Sequence, residues 1–369
     1  MTIELLDVAI PDRWDEESET GRRMRDYVDV RNAVVVDTFD GDESVAFSYR
    51  QAWANWRSQE GIEDVLRVLA LDDGEPVGRG YAARGLLEAQ SIGELDVLVL
   101  PNARRRGVGA SLADDMIGRM RERGVTTFQA WVTHRPTTDA DPGPQLTPPT
   151  GLGSIAADTS QVRMLQRYGF ALEQIERMSE LRLATASTAL ADHRAEAEAL
   201  ALPRYRIETW EGRTPAARLE PLAALHARMS TDAPAAALDH EEERWDTERL
   251  SRYEDAQIEG GRTLLRAVAI EEGTDAVAAF TTLVSSDGSA ARAQQAWYQH
   301  DTLVHAEHRG QRLGMLVKAA NLQALLTHAP AAVVRTWNAS ENTHMLAVNE
   351  ALGFTRISDE GVWQRKDEA

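Results

Sequence analysis

Residues 97–112 read VLVLPNARRRGVGASL, an apolar run that leads into three consecutive arginines and then Gly-Val-Gly. The apolar run predicts a buried strand. Behind the glycines, apolar residues recur every four positions at Val108, Leu112, Met116 and Met120. That spacing predicts a helix that starts near Gly107, so the stretch predicts a strand, a tight turn and a helix.

The turn between the strand and the helix concentrates positive charge in a chain that is otherwise acidic. Its arginines are Arg104, Arg105 and Arg106, whereas the 369 residues together carry a formal charge of −19. The start of a helix offers free backbone N–H groups and the positive end of the helix dipole. Glycines let a phosphate approach the backbone, and arginines add charge-assisted hydrogen bonds. The turn therefore favours a phosphorylated ligand, although it matches neither G-x-x-x-x-G-K-S/T nor G-x-G-x-x-G.

Composition limits the classes of function that remain. The length suits two domains, and 43% hydrophobic residues are enough for ordinary cores. The acidity argues against a nucleic-acid partner. The absence of cysteine excludes disulfides, thiolate metal sites and a cysteine nucleophile. We see no signal peptide and no apolar run of about 18 residues, so we expect a cytoplasmic protein without a membrane partner. We expect a monomer or a homodimer.

The order of elements around the turn occurs twice along the chain. Strand-like text, a turn read as HRGQRLG (308–314) and an apolar helix follow one another again in the second half. The alanine- and glutamate-rich segment 184–203 predicts a helical linker between the copies. We therefore predict an N-terminal domain over 1–183, with a Pro/Gly-rich insertion at 134–154, and a C-terminal domain over 204–369.

Two motifs in each copy resemble those of the GCN5-related N-acetyltransferase (GNAT) superfamily. Its turn pattern is R/Q-x-x-G-x-G/A, which Arg104, Gly107 and Gly109 fit. In the second copy Arg309 and Gly314 match, but Arg312 stands where the inner glycine belongs. A later helix of the superfamily often reads N-x-x-A/M and then Gly-Phe. Residues 342–354 (NTHMLAVNEALGF) match this closely, and residues 158–170 match with Asp158 in place of asparagine.

The resemblance, to tandem acetyltransferases of actinobacterial type, implies two α/β domains, each a mixed sheet whose fourth and fifth strands splay apart. Acetyl-CoA would lie in that gap as cosubstrate, with its pyrophosphate on the turn and its pantetheine arm along the strand before it. The residues so assigned are Leu98, Val99, Leu100, Arg104, Arg105, Arg106, Gly107, Val108 and Gly109 in the first copy, and Leu303, Val304, His305, Arg309, Gly310, Gln311, Arg312, Leu313, Gly314 and Asn342 in the second.

Direct acetyl transfer needs a base for the acceptor amine and a proton for the leaving thiolate. In the superfamily the base usually lies four or six residues before the valine that precedes the turn. Counting back from Val304 gives His300 and Tyr298, whereas the same count in the first copy gives Leu95 and Gly93, which do not titrate.

The superfamily's usual acid toward the thiolate is also replaced. A tyrosine is common four residues before the Gly-Phe glycine, and this chain has Leu165 and Asn349 there. We therefore predict His300 as base, with Tyr298 as an acid or the thiolate leaving unassisted, and chemistry in the C-terminal copy.

The resulting hypothesis is a metal-independent N-acetyltransferase that transfers acetyl from acetyl-CoA to a primary amine of a small molecule or peptide in a ternary complex. The alternative is an acyl-CoA-binding or sensing module without turnover, which the missing tyrosine favours and His300 opposes. The sequence leaves the identity of the amine open.

Overall fold

The computed structural model describes residues 3–137, 143–232, 236–241, 243–286 and 296–367. The chain forms two compact units. Unit 1 comprises Met1–Ile175, Ala235–Glu241 and Glu360–Ala369, and unit 2 comprises Glu176–Pro234 and Glu242–Asp359.

Unit 1 is built on a mixed sheet with the strand order β1-β2-β3-β4-β5, after which come parts of β14 and β8. All pairs from β1 to β4 are antiparallel, and β4 pairs with β5 in parallel. A short hairpin, β6 with β7, lies apart from this sheet. The elements are β1 (Ile3–Asp7), α1 (Glu19–Thr38), α2 (Tyr49–Ser58), β2 (Glu63–Asp72), β3 (Glu75–Gly85), β4 (Ile92–Val99), α3 (Val108–Glu122), β5 (Thr127–His134), β6 (Gln145–Leu146), β7 (Ile155–Ala156), α4 (Ser160–Arg167) and β8 (Ala171–Arg182).

Unit 2 repeats the scheme with the strand order β8-β13-β12-β11-β10-β9. Here β12 and β13 form the parallel pair. Its elements are α5 (Leu183–Ala201), β9 (Tyr205–Glu211), α6 (Ala216–Asp232), α7 (Thr247–Glu259), β10 (Leu264–Glu271), β11 (Val277–Ser285), β12 (Ala296–Val304), α8 (Leu313–His328), β13 (Val333–Ala339), α9 (Thr343–Ala351) and β14 (Thr355–Lys366). The prediction of α/β architecture with mixed sheets is confirmed.

The edges of the units differ from the ranges 1–183 and 204–369 that we expected. The second part of β8 pairs with β13, from Glu176 opposite Ala339 to Arg182 opposite Val333, and so belongs to unit 2. The last part of β14 belongs to unit 1, where Trp363 is fully buried in the core. Parts of β8 and β14 thus belong to different units according to the strands and cores against which they pack. The order of elements along the chain does not reveal this division.

The predicted linker and the insertion both contain regular structure. The helix α5 covers almost all of 184–203, and its buried residues Leu190 and Ala197 join the cores that α8 fills in unit 2. Within 134–154, the strand β6 pairs with β7, and residues 138–142 lie outside the described part. None of the helices in the described ranges has the length and apolar character needed to cross a membrane.

Two glycines in β3 allow α3 to pack closely on the sheet of unit 1. A Cβ atom at Gly78 would lie 3.0 Å from Val108 Cγ1 and 3.1 Å from the Leu98 carbonyl oxygen. At Gly80 it would lie 2.9 Å from Met116 Sδ. Because α3 follows directly from the candidate turn, these glycines determine how the turn sits on the sheet.

We therefore expect Gly78→Val to lower the stability of unit 1 by about 1–3 kcal/mol, because the backbone carbonyl of Leu98 cannot move aside cheaply. Thermal and urea unfolding measure this loss. The control is Gly118→Ala on the outer side of α3, where no atom lies within 4 Å of an added Cβ. Alanine there should stabilise by about 0.5–1 kcal/mol through helix propensity. Equal midpoints for the two variants would contradict the packing argument.

Candidate functional site

The parallel pair in unit 1 stops part of the way along its strands. Only Ile92–Glu94 of β4 pair with Thr127–Gln129 of β5. Both strands continue, β4 to Val99 and β5 to His134, without a ladder between them. We call the space between Leu95–Val99 and Ala130–His134 the unit-1 gap. Its position agrees with the predicted splay of the fourth and fifth strands.

Unit 2 has the same interruption. Ala296–Gln299 of β12 pair with Val333–Thr336 of β13, and the two strands then separate. The space between His300–Val304 and Trp337–Ala339 is the unit-2 gap. Each gap leads to one of the two Arg/Gly turns, because β4 and β12 run directly into them.

Backbone groups at the end of each first strand are directed toward the gaps. Leu100 N–H donates to the Val77 carbonyl of the neighbouring strand, so the alternation of the ladder turns the backbone of Val99 the other way. His305 N–H likewise donates to Ala278, which turns Val304 toward the unit-2 gap. Buried or ligand-facing backbone groups need partners. The backbone of Val99 and Val304 thus faces the gap, and the assignment of these residues to a pantetheine arm stays a prediction.

The two turns adopt the same backbone with different residues. In unit 1, Arg105 has φ 62° and Gly107 has φ 89°, and in unit 2 the equivalent positions hold Gly310 at φ 80° and Arg312 at φ 55°. Each turn thus places one glycine and one arginine in the left-handed region. The arginine at the inner-glycine position, Arg312, is accommodated at a cost of about 1 kcal/mol.

The helices that follow the turns begin without side-chain caps. Neither Gly107 before α3 nor Arg312 before α8 provides a capping side chain, and the first amide bonded back to the N-cap is Ser111 in α3 and Leu316 in α8. The N–H groups of the preceding first-turn residues are therefore open to a ligand. Five other helices are capped by the side chains of Ser18, Ser48, Thr159, Asp246 and Asn342, whereas α5 also begins without a side-chain cap. The open starts of α3 and α8 lie at the ends of the two gaps, where they could bind an anion.

The turn arginines differ in their contacts. Arg104 donates from Nε to the Val99 carbonyl at 3.1 Å, and its Nη2 lies 3.3 Å from Asp37. Arg106 pairs with Asp72 at 2.7 Å. Arg105 has no such partner within the described ranges. In unit 2, Arg309 repeats the strand contact at 3.4 Å to Val304, and Arg312 pairs with Glu196. Arg105 is therefore the side chain most available to a phosphate.

A β-bulge changes the direction of the predicted catalytic residues in unit 2. Thr302 pairs with Thr281 and Gln299 with Leu283, so His300 and Asp301 together face the single residue Thr282. The bulge interrupts the alternation on which the count of four and six residues relied. His300 is one of the two bulge residues, and the count by itself does not place it on the face of Tyr298.

His300 and Tyr298 nevertheless lie in one neighbourhood. The Arg262 guanidinium lies 5.8 Å from the centre of the Tyr298 ring, and Tyr298 stacks on Trp337 across the start of the unit-2 gap at 5.9 Å. The His300 side chain is accessible to solvent, yet crowding by protein and the charge of Arg262 lower its pKa to about 3. His300 is therefore a neutral and weak base at neutral pH.

The other bulge residue, Asp301, faces α6 and α7. Burial raises the pKa of Asp301 to about 6, and its Oδ2 lies 3.6 Å from Nδ1 of the buried His226. Burial also lowers the pKa of His226 to about 3. A neutral imidazole at this distance forms neither an ion pair nor a good hydrogen bond. The contact with His226 therefore does not provide the Asp301 carboxylate with a charged partner.

Unit 1 contains a titratable residue that the count missed. The ladder between β3 and β4 is regular from Gly78–Val99 to Arg84–Gly93, without a bulge. Leu95 is buried in the core beneath α3, so Glu94 points to the opposite face, toward α1 and α2. The count back from Val99 gave Leu95 and Gly93, and Glu94 lies between them on the opposite face of the strand. We aligned the β3–β4 ladder with the β11–β12 ladder by placing Val99 on Val304 and counting the two bulge residues as one. In this alignment Glu94 corresponds to Tyr298.

The environment of Glu94 suits proton transfer near neutral pH. Crowding by protein raises its pKa to about 7, with further contributions from Asp96 and Glu63. Asp96 is held in an ion pair by Arg79, which also donates to Tyr27 at 3.1 Å. Glu94 has no hydrogen-bond partner among the described residues, and its side chain is accessible to solvent. It stands at the last pair of the β4–β5 ladder, where the unit-1 gap opens.

The remaining predicted positions have structural contacts of their own. The Asn342 side chain accepts the Met345 N–H at 3.2 Å and caps α9. Asn349 is buried and donates to Asn338 at 2.6 Å, while Leu165 packs against the core of unit 1. Neither Asn349 nor Leu165 titrates, so neither supplies an acid. Within the described ranges, no group of three or more His, Asp or Glu side chains is arranged to hold a metal ion.

Comparison with known proteins agrees with this geometry. Residues 29–141 match the model of the acetyltransferase (GNAT) family. No curated protein matches the sequence.

Among solved structures, a tandem GNAT protein from the clavulanic acid biosynthesis pathway is 23% identical with a TM-score of 0.71, covering 100% of this chain and 99% of that one. A GCN5-related N-acetyltransferase from Sphaerobacter thermophilus is 14% identical with a TM-score of 0.57, covering 99% and 95%. A GCN5-related glucosamine N-acetyltransferase region of a fungal multi-domain β-N-acetylglucosaminidase is 16% identical with a TM-score of 0.59, covering 99% and 38%. Residues 29–141 are therefore similar to the acetyltransferase (GNAT) family, and the chain as a whole has the fold of a tandem GNAT protein.

Proposed function

We propose that the protein is an N-acetyltransferase that moves an acetyl group from acetyl-CoA to a primary amine of a small molecule or peptide. The observation that carries this proposal is the coincidence, in each unit, of an interrupted parallel ladder with an uncapped helix behind an Arg/Gly turn. The GNAT family domain supports acyl transfer in general. That the donor is acetyl-CoA, that the acceptor is an amine and that the transfer is direct are the parts that we propose beyond this general support.

The residues present fit acetyl-CoA as cosubstrate. The open amides of Val108 and Gly109, with Arg105, would hold the pyrophosphate, and the backbone of Val99 would pair with the pantetheine arm. Leu313, Gly314 and Val304 offer the same groups in unit 2. When bound, acetyl-CoA supplies an activated thioester, and the chain must supply the base and the orientation.

Glu94 is the base that this proposal assigns to unit 1. An amine is protonated at neutral pH and must lose a proton before it can act as a nucleophile. A carboxylate whose pKa is about 7 accepts that proton efficiently, directly or through water. Asp96 contributes by raising the pKa of Glu94, while its own ion pair with Arg79 keeps it in place.

In unit 2, His300 and Tyr298 remain the residues proposed for catalysis from the sequence. A histidine whose pKa is about 3 has little driving force to take a proton from an ammonium group. Glu94 matches the task better, so we place amine acetylation in unit 1. This revises our preference for the C-terminal copy.

The first expected result concerns the donor and the reaction. Acetyl-CoA should raise the thermal unfolding midpoint, because binding at about 100 times Kd stabilises the folded state by about 2.7 kcal/mol. Thiol release against a panel of amines, with mass spectrometry of the product, measures transfer. Binding without thiol release for any amine would favour the sensing module. The absence of both binding and release would contradict the whole proposal.

The second expected result concerns the turn of unit 1. Arg105→Ala should weaken acetyl-CoA binding to unit 1 by about tenfold, which corresponds to roughly 1.4 kcal/mol. The difference should shrink in high salt, because salt screens an exposed charge contact. Replacing Arg104, Arg105 and Arg106 together should weaken binding further.

Isothermal titration at two salt concentrations measures these affinities. The matched control is Arg13→Ala, an exposed arginine that pairs with Asp15 before α1. Unchanged affinity and stoichiometry in the triple variant would mean that this turn does not bind the coenzyme.

The third expected result separates the two units. Glu94→Gln should lower turnover by about 10²–10⁴-fold, the usual contribution of a general base, with little change in acetyl-CoA affinity. The wild-type rate should fall as the pH drops below about 7, because protonated Glu94 cannot accept a proton. This acidic limb should be absent in Glu94→Gln.

The control for this result is His300→Gln, which we expect to retain turnover within a few-fold. If His300→Gln loses activity and Glu94→Gln does not, the chemistry takes place in unit 2 and our sequence prediction was the better one.

A further inference from the structure

The protein uses arginine for nearly all of its positive charge. Its 40 basic residues include only two lysines, Lys318 and Lys366. Lys366 lies on the surface and pairs with Asp239 at 2.7 Å. Lys318 lies on α8 and is 1% exposed. The single buried lysine therefore occurs on the helix that follows the turn of unit 2.

Among the residues that the structure describes, the Lys318 amine has no carboxylate partner. Its Nζ lies 3.9 Å from Met345 Sδ and 5.8 Å from the centre of the Phe354 ring. Burial alone lowers its pKa to about 7, with no neighbouring charge acting on it. A buried ammonium group without a partner is costly, whereas a neutral amine is tolerated. Lysine can lose its proton in such a place and arginine cannot.

Lys318 lies one turn along α8 from Gly314, the residue that packs against the end of β12. A Cβ atom on Gly314 would lie 3.6 Å from Val304 Cγ2, at the free end of β12. Lys318 is four residues later and so lies on the same face of α8, one turn further along. On its other side is Met345 in the first turn of α9, the helix that follows β13. The amine is thus enclosed by elements that border the unit-2 gap.

Unit 1 has the same arrangement without the amine. A Cβ atom on Gly109 would lie 3.5 Å from Val99 Cγ2 and 3.4 Å from Met164 Cε of α4. The residue four positions later is Ala113, which is 2% exposed. The architecture of the gap therefore does not require a lysine here, and Lys318 is specific to unit 2.

We propose that Lys318 is an internal acyl-acceptor site, which takes the acyl group of a thioester held in the unit-2 gap. The neutral Nζ forms a bond to the thioester carbonyl carbon, the carbon–sulfur bond breaks, and the proton lost by Nζ goes to the departing thiolate. The products are an Nζ-acyl-lysine and free CoA thiol, so no further reactant is needed. This proposal rests on the proposed function, in that unit 2 must bind an acyl-CoA.

Two physical consequences follow from the modification. The amide is neutral, so acylation removes the cost of keeping an ammonium group among Met345 and Phe354. The added acyl group extends toward the space that the donor occupied, so a modified unit 2 should bind acetyl-CoA more weakly. Unit 1, with Ala113 in this place, stays available for an external amine.

The test is to incubate the full chain with acetyl-CoA and no amine, and then to map acetylation by intact and peptide mass spectrometry. We expect one acetyl group per chain, on Lys318, formed faster than on Lys366 by about tenfold or more, because a bound donor has a high effective concentration. Excess desulfo-CoA should suppress acetylation of Lys318 and leave that of Lys366 unchanged. Acetyl phosphate, which does not need the gap, should favour the exposed Lys366.

Variants separate this site from general reactivity. Lys318→Met should lose the modification and, by removing a buried amine, should unfold at a temperature no lower than wild type. Lys366→Arg should keep it.

Unmodified Lys318 in a protein that binds acetyl-CoA and releases thiol with external amines would overturn this inference and leave the proposed function intact. Absence of acetyl-CoA binding would overturn both. Acetylation of Lys318 that desulfo-CoA does not suppress would also contradict a gap-bound donor.

Discussion

The incomplete pairing of two parallel strands is the constraint on which the functional architecture depends. A strand that leaves its partner exposes backbone donors and acceptors that need new partners. In each unit the separation begins after a few paired residues, at Glu94 in β4 and at Gln299 in β12. The strand ends are then held on one side by the neighbouring antiparallel strand. On the gap side an arginine, Arg104 or Arg309, donates to the carbonyl of the last strand residue. The remaining backbone groups on that side are the ones that our proposal assigns to an extended ligand.

The turns at the ends of these strands meet a second constraint, because a helix used as an anion site must remain uncapped. Each turn has two residues in the left-handed region, one glycine and one arginine. The arginine comes first in the turn of unit 1, and the glycine comes first in the turn of unit 2. The backbone geometry is thus the same although the motif in the second copy departs from the usual pattern. An arginine in the left-handed region costs some stability and brings a charge, which α5 partly engages through Glu196.

The two units differ in the polar groups that they place around the same gap. Unit 1 carries a solvent-accessible carboxylate, Glu94, whose pKa is raised toward neutrality by crowding and by other carboxylates. Unit 2 has a bulged strand with a weakly basic His300 and, on α8, the buried amine of Lys318. The duplication therefore places different polar groups around one backbone plan, and our proposals assign a different part of acyl transfer to each unit.

The sequence alone determined the features that depend on local pattern. The two copies and the strand–turn–helix at each Arg/Gly motif follow from periodicity and turn residues, and the splayed central strands follow from the resemblance to the family. Tertiary structure decided the rest, because it depends on register and packing between distant segments. The bulge at His300 and Asp301 exists only in the pairing of β12 with β11. The corresponding strand of unit 1, β4, has no bulge, so Glu94 points away from the core that Leu95 enters. The unit edges follow from where Leu181 and Trp363 are buried, and the isolation of Lys318 follows from α9 closing over it. Side-chain burial and strand pairing of this kind arise between segments that are far apart in the sequence, so no single stretch of sequence predicts them.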